Sequence, residues 1–420
     1  MSGAESETVH VPARDDATGA ADATALFRRV FDAEPAGVWS APGRVNLIGE
    51  HVDYAGGICL PFALAQRTFA AVAPREDGML RLVSDFGGAD AEPVQIALSD
   101  VGPGSPEGWS GYAAGAIWAQ QEAGDLPSDL GGFDIAITSD VPVGGGLSSS
   151  AALECSVALA ARELASTEEV DEDARRRLVS ACMRAENEVV GAATGGLDQR
   201  IALLGQPGYA LAIDFGEDTD EQVACDLGAA GLELLVIDTR AAHSLADGQY
   251  ASRRGVIDGV AAAAGANVLR EVADPLQHAE KWAAESTPDG VDQATWADTV
   301  RRRVGHVLSE NERTTAAIAQ LRAGDFEAFG RSMCASHASL RDDYEVSCAE
   351  LDLAVDTAME HGAIGARMTG GGFGGSAIAL VRSEDEAKVA RAIADAFAKA
   401  GFTAPAFLAA TPSAGARRVA

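Results

Sequence analysis

Long apolar runs, basic surplus and paired cysteines are all scarce in this chain, and each scarcity removes a class of function. No apolar stretch approaches the roughly 18 residues that a membrane span needs. The opening, MSGAESETVHVPARDDATGAADATAL, is polar and acidic, unlike a basic stretch followed by an apolar one. A cytoplasmic protein is therefore expected. Lys and Arg number 32 against 63 Asp and Glu, and the net charge of −31 repels nucleic acid and anionic membrane surfaces. Neither is expected as a partner. Six cysteines, at 59, 155, 182, 225, 334 and 348, lie far apart with no C-x-x-C pair, which is neither a disulfide framework nor a zinc pattern. They read as small core residues. No fixed-period repeat is present, so solenoids are excluded.

What is present is ample core material: 47% of the 420 residues are apolar, enough for two or three domains at roughly 150 residues each. Residues 1–22 are small, polar and charged, and a disordered tail is expected there. From Gly37 to Leu98, short β-rich runs (GVWSA, VNLI, TFAAVA, LRLVS, PVQIAL) separated by Gly, Pro and Asp predict a mixed or antiparallel sheet. Helices are expected near 109–119, 173–190 and 197–204, then a strand ending near Asp214. The acidic stretch GEDTDEQVACD marks the expected boundary between a domain over 23–215 and one over 216–420. The second half predicts helices near 247–264, 296–322, 325–339, 346–361 and 384–400, with strands around GARM, SAIALVRS and Phe407. Arg301–Arg303 read as a solvated, salt-bridged helix face, and His278, His306, His337 and His361 as surface or capping residues.

Three stretches carry chemistry. In VPVGGGLSSSAALE, residues 141–154, three glycines permit unusual backbone angles, and a helix then begins whose free N–H groups favour an anion. A serine-capped tight turn is the alternative. No lysine follows these glycines, so a P-loop is disfavoured. In APGRVNLIGEHVDYAGGICLP, residues 41–61, Arg44, Glu50, His51, Asp53 and Tyr54 are dense polar groups between apolar strands. Burying them requires a polar ligand such as a sugar, a metal for His51 with Asp53, or a self-satisfied turn. In GARMTGGGFGGSAIA, five of the six residues 370–375 are glycine, which fits a phosphate-wrapping loop or a plain turn between strands.

Together and in this order, the three stretches resemble the GHMP small-molecule kinases, and GRVNLIGEHVDY resembles the signature of the galactokinase branch. GGLDQ at 195–199, HSLADGQY at 243–250 with Arg253 and Arg254, LRDDYEVSCAELD at 340–352 and RMTGGGFGG at 367–375 extend the resemblance from about Gly37 to Val381. It implies an α+β, two-domain fold: an N-terminal mixed-sheet domain and a C-terminal domain of antiparallel sheet and helices, with the site in the cleft. It implies ATP-dependent phosphorylation of the C1 hydroxyl of α-D-galactose, with Mg²⁺ as cofactor and galactose and ATP as small-molecule partners. A kinase for N-acetylgalactosamine or a pentose, or a non-catalytic galactose and ATP sensor, are the alternatives. A monomer is expected.

Carried over residue by residue, the resemblance makes Asp198 the carboxylate facing the anomeric hydroxyl and Arg44 the guanidinium beside it. Ser150 and Glu186 match magnesium positions; Glu50, His51, Asp53, Gly195 and Tyr250 match sugar contacts. Gly144, Gly145, Gly146, Leu147, Ser148, Ser149 and Ser150 match the phosphate loop, and Trp109 the place of an aromatic near adenine. Asp53 is the group expected to read the C4 hydroxyl, and Gly195 is expected to close on the C2 hydroxyl. The chain departs from the pattern at Val52, Ala55, Leu197 and Arg200, none of them a proposed catalytic group. Phosphoryl transfer asks mainly for in-line positioning and for cations against the equatorial oxygens, so a helix N-terminus, one magnesium and one arginine suffice.

Overall fold

The strand-like runs of the first half assemble into a six-stranded sheet in the computed structural model, which describes residues 8–88, 92–192, 194–241 and 246–420. Its order is Arg417–Arg418, Gly37–Asn46, Pro61–Pro74, Gly132–Ser139, Met79–Ser84 and Val94–Ala97. Neighbours are antiparallel except Met79–Ser84 beside Gly132–Ser139, which are parallel. Alternation along Pro61–Pro74 serves two cores. Phe69 and Ala71 pack with Ala23 and Phe27 of the helix Asp16–Phe31. Ala70 and Val72 pack on the other face with Ile117 of Trp109–Ala123 and Val157 of Ser149–Ala165.

A five-stranded sheet follows the order Val9–His10, Ala406–Ala410, Leu232–Asp238, Ser376–Arg382 and Gly365–Thr369. It is antiparallel except at the edge strand Val9–His10. Leu235, Ile237, Ala377 and Ala379 face a core built with helices of the second half, among them Gln293–Ala323 and Ala349–Glu360. Leu234, Val236, Ile378 and Leu380 face Val45, Phe62, Leu147 and Ala152 instead. That shared core seats the glycine loop between the two sheets. Each fully buried Leu or Ile there contributes about 1.5–3 kcal/mol. A third, small sheet joins Ile58–Cys59, Tyr209–Asp214 and Thr219–Ala224. Among the described residues, no helix is long and apolar enough to cross a membrane.

Several expectations are corrected. Residues 1–7 lie outside the described residues, but most of the rest of the expected tail is regular structure: Val9–His10 is a strand and the helix Asp16–Phe31 begins inside it. Asp15 caps that helix, its carboxylate accepting from the Thr18 N–H at 2.7 Å. The small residues that read as low bulk are there for close approach: Gly19 sits directly under the Phe69 ring. The acidic stretch proposed as a boundary is the strand Thr219–Ala224, because Val223 is buried and Asp220 is neutralised by Arg176 and Arg200. The chain ends cross between the sheets, since the first strand joins the second sheet and the last strand joins the first. The helix Pro275–Glu285 was not foreseen; it buries Ala279 and Ala283. His306 and His337 are buried instead of lying on the surface.

A Cβ at position 19 would lie 2.2 Å from Phe69 Cζ. Gly19→Ala is therefore expected to destabilise the protein by about 1–3 kcal/mol through overpacking, despite the better helix propensity of alanine. Thermal melting checks it, and an unchanged or raised midpoint would show that the helix Asp16–Phe31 is not docked as described.

Candidate active site

The site begins with a defect in a strand. The register of Gly37–Asn46 against Pro61–Pro74 shifts between Pro42 and Arg44, and a bulge of this kind re-aims the side chain that follows it. Gly43 makes room, since a Cβ there would meet the Leu147 carbonyl at 2.6 Å. Arg44 donates its backbone N–H to that carbonyl at 3.1 Å and its Nη1 to the Gly146 carbonyl at 2.6 Å. Its Nε and Nη2 clamp Asp198 at 2.8 and 3.1 Å. Asp198 stands in the first turn of the helix Leu197–Leu204, where the positive end of the helix dipole favours a carboxylate. Arg44 Nη2 and the Ser148 hydroxyl both donate to Oδ2, and only Arg44 Nε to Oδ1. A substrate hydroxyl can therefore donate to the second lone pair of Oδ1.

The glycine loop ends on Ser148, held in the left-handed region at φ 60, and the helix Ser149–Ala165 starts next. Ser148 makes no side-chain cap bond, because its hydroxyl goes to Asp198. The capped-turn alternative is thus not what the chain adopts. The first N–H groups of this helix are left without a side-chain cap, facing the end where an anion is favoured.

Ser150 and Glu186 meet beside this helix start, Ser150 Oγ donating to Glu186 Oε1 at 3.4 Å. Glu186 lies on a π-helical turn, Ala185–Val190, a distortion that recurs at functional sites. Burial, then the Asp198 charge, push its carboxyl up to about 7 against hydrogen bonds from Gln199 and Ser150 and the charge of Arg44. Adjacent ligands of an octahedral Mg²⁺ at about 2.1 Å lie about 3 Å apart, so these two oxygens fit one edge of such a shell. Among the described residues, no group of three or more His, Cys, Asp or Glu is arranged to hold a metal. A hydroxyl and one carboxylate suit an ion that keeps waters and takes phosphate oxygens for the rest.

On the other side of Asp198 is a cavity of about 180 Å³, lined by Arg44, Glu50, His51, Asp53, Glu186 and Tyr250 together with Gly49, Thr194, Leu197, Asp198, Gly370 and Gly371. Glu50 Oε1 accepts from the Gly370 N–H at 2.7 Å and from Thr369 Oγ1 at 3.1 Å. His51 Nε2 is 3.1 Å from the Gly371 carbonyl, which only accepts, so Nε2 carries the hydrogen. His51 Nδ1 then accepts from Tyr54 at 3.1 Å, and Tyr54 accepts from Tyr344 at 2.7 Å. Burial, then nearby His306, push the imidazole down to about 3, so it is neutral. With both nitrogens engaged, His51 is no metal ligand. Asp53 sits against Gly195, where a Cβ would come within 2.0 Å of its Oδ2. Burial, followed by the charges of Asp198 and Glu50, push its carboxyl up to about 6, opposed by the Tyr54 N–H and Arg254.

Of the expected residues, Arg44, Glu50, His51, Asp53, Glu186, Asp198 and Tyr250 line the cavity, and Gly146, Ser148, Ser150 and Gly195 join them through Arg44, Asp198, Glu186 and Asp53. Trp109 is 38% exposed at the start of its helix and does not line the cavity. Tyr250 lies with its ring 5.4 Å from that of His51. The start of its motif, residues 243–245, falls outside the described residues. Sequence reasoning missed Gln199, whose Nε2 donates to Glu186 Oε2 at 2.6 Å and to Glu154 Oε2 at 3.1 Å. It also missed Glu310, which is wholly buried and accepts the Gly49 N–H at 3.0 Å and the Glu50 N–H at 3.3 Å. Gln199 lay inside the quoted GGLDQ run; Glu310 lay on a helix whose charges read as solvated. A larger cavity of about 510 Å³, lined by Arg175, Arg176, Gln222 and Arg417, is elsewhere. Its guanidinium groups are taken up by Leu203, Asp220 and Asp16, and it holds none of this chemistry.

The galactokinase galactose-binding signature matches residues 25–74, the GHMP kinase N-terminal domain 111–206 and the GHMP kinase C-terminal model 317–399. A galactokinase of Streptomyces coelicolor is 46% identical over 394 residues, covering 94% of this chain and 97% of that protein. One from Homo sapiens is 41% identical over 86% of this chain and 88% of its own length. The crystal structure of Lactococcus lactis galactokinase complexed with galactose superposes with a TM-score of 0.82 at 30% identity, covering 95% of this chain and 99% of that one. The bulged strand, glycine loop and sugar-sized cavity thus sit on a GHMP kinase fold, and the chain belongs to the galactokinase family.

Proposed function

We propose that this site transfers the γ-phosphoryl group of ATP to the anomeric C1 hydroxyl of α-D-galactose, giving galactose 1-phosphate and ADP. The enzyme class follows from the family; the residue roles rest on geometry. The observation that carries them is the placement of the Arg44–Asp198 pair between a cavity of about 180 Å³ and an uncapped helix N-terminus. Galactose fills the cavity, with Glu50, His51, Asp53 and Tyr250 around the hydroxyls remote from C1 and Gly195 backing Asp53. Phosphates of ATP lie along Gly144 to Ser150, beneath the N–H groups of Ser149–Ala165.

In the transfer, the sugar O1 forms a bond to the γ-phosphorus while the bond from that phosphorus to the β-bridging oxygen breaks, its electron pair leaving with ADP. The hydroxyl proton passes to Asp198 Oδ1. Arg44 stands between Asp198 and the loop, where its charge opposes that building on the equatorial oxygens. Ser150 and Glu186 would hold Mg²⁺, which supplies charge neutralisation to the phosphates when bound. All these residues come from one chain, so a monomer suffices, and we place it in the cytoplasm. Trp109, at the start of the helix that packs on the Glu186 turn, is proposed as an outer contact for the base.

Asp198→Asn is expected to abolish turnover while leaving galactose and ATP affinity within about tenfold, because it removes the proton acceptor and keeps the shape. Calorimetry paired with an ADP-release assay decides it; near-normal turnover would move the acceptor elsewhere.

Asp53 gives a pH signature. A carboxyl raised to about 6 is protonated below that pH and cannot accept from a sugar hydroxyl as a carboxylate. Acting alone, it makes kcat/KM for galactose fall about tenfold per pH unit below about 6, with a plateau above, and Asp53→Asn should flatten that limb at a low level. In stability the sign is opposite. The raised pKa favours the folded state fully below the ordinary value of 3.8, and that contribution is lost as pH rises through about 6. Asp53→Asn should therefore raise the melting temperature at pH 7.5 while galactose binding weakens. A lowered melting temperature would mean that the carboxylate is compensated in the empty site.

A further inference from the structure

Gln199 has no part in the reaction just described, yet it is wholly buried at its centre. Its carboxamide nitrogen donates one hydrogen to Glu186 Oε2 at 2.6 Å and the other to Glu154 Oε2 at 3.1 Å. Glu186 is thereby split between two duties: Oε2 is tied back to Gln199, while Oε1 faces Ser150. Glu154 stands one helical turn beyond Ser150 on the same helix face, four residues along Ser149–Ala165, and is wholly buried with Oε1 unpartnered. Ser150 and Glu186 thus rest on a floor made of Glu154 and Gln199. A carboxylate at 199 would place three acids together. An aliphatic residue would leave two buried carboxyl groups without their shared donor.

We infer that Gln199 is the positioning residue of the metal shell, its carboxamide holding Glu186 so that Oε1 and the Ser150 hydroxyl present one edge to Mg²⁺. The inference rests on the reading of Ser150 and Glu186 as metal residues. Gln199 follows Asp198 on the same helix turn, so one helix start sets both the carboxylate that takes the proton and the carboxylate that meets the metal. Partners of a metal ligand that fix its orientation are worth roughly 10–100-fold in metal affinity.

The test uses Mn²⁺ as a paramagnetic substitute for Mg²⁺. Its affinity for the full-length protein with galactose and a non-hydrolysable ATP analogue is measured by electron paramagnetic resonance. Gln199→Met keeps the side-chain length and removes both donors. It is expected to weaken Mn²⁺ by about 10–100-fold while calorimetry shows galactose affinity within about twofold of wild type. A purely structural Gln199 would lower the melting temperature and leave Mn²⁺ affinity within twofold, and that result overturns the proposal. Glu186→Gln separates the two layers of the argument. If it too leaves Mn²⁺ unchanged, the assignment of Glu186 is wrong and the proposal falls with it. If it weakens Mn²⁺ and Gln199→Met does not, Gln199 alone is misassigned. Should Gln199→Met fail to fold, Gln199→Asn, which keeps the amide but withdraws it by one methylene, takes its place with the same expected loss and the same overturning result.

Discussion

The Arg44–Asp198 ion pair is the constraint on which the site depends. It joins a strand bulge to a glycine loop 102 residues along the chain and to a helix start 154 residues along, through the Gly146 carbonyl on one side and Asp198 on the other. Taking both ions largely out of water costs several kcal/mol each, so the pair holds only because its geometry is bidentate and Arg44 Nη1 also finds the Gly146 carbonyl. Removing one partner would leave the other charge unmatched, at about 3–5 kcal/mol. The pair also explains the open helix end: by recruiting the Ser148 hydroxyl, Asp198 denies Ser149–Ala165 the side-chain cap that its sequence offers.

A second buried charge cluster keeps the sugar side rigid. Arg367, fully buried, donates to the Asn46 carbonyl at 3.0 Å and lies 3.5 Å from Glu50 Oε1. Glu310 binds the Gly49 and Glu50 N–H groups, the Ser336 hydroxyl and Arg313. Burial alone would push the Glu310 carboxyl up, but His306, Arg367, Arg313 and the Ser336 hydroxyl outweigh it and hold it at about 2. Its stabilising contribution is present above the ordinary value of 4.5 and is lost only as pH falls toward 2. The turn it supports therefore stays intact through the range in which Asp53 and Glu186 titrate. Glu310, which supports the turn, is held down, while Asp53 and Glu186, which line the cavity, are pushed up by burial.

Much of this was legible in the sequence because its signals are local. Three glycines before a helix imply unusual backbone angles, and Gly144 and Gly146 adopt them, whereas the bulge between Pro42 and Arg44 was not read from the Pro-Gly pair. What the sequence hides is pairing across distance. Glu310 shares a helix with the solvated Asp298 and Arg301, and nothing in its neighbours says that position 310 turns inward to meet residue 49. The terminal strands fail to announce themselves for the same reason: two residues carry no period, and Arg417–Arg418 pairs only because Ser40 and Trp39 lie opposite. The helix Asp16–Phe31 was hidden by its composition, since alanine and glycine read as low bulk until the Phe69 ring is seen above Gly19.

The balance of charge in the cavity sets the order of requirements. Its described lining has four acids, Glu50, Asp53, Glu186 and Asp198, against the single guanidinium of Arg44, and His51 is neutral. A neutral sugar is indifferent to that surplus, and its hydroxyls find acceptors in it. A polyphosphate is not indifferent, and the net charge of −31 adds repulsion at distance. Screening over about 8 Å removes most of the distant part, which leaves the local surplus as the obstacle. The helix N-terminus offers only partial charges, and Arg44 is already matched by Asp198. On the proposed assignment of Ser150 and Glu186, a cation arriving with the nucleotide would answer that surplus, and Glu186, raised toward neutrality by burial and Asp198, would regain its charge beside it.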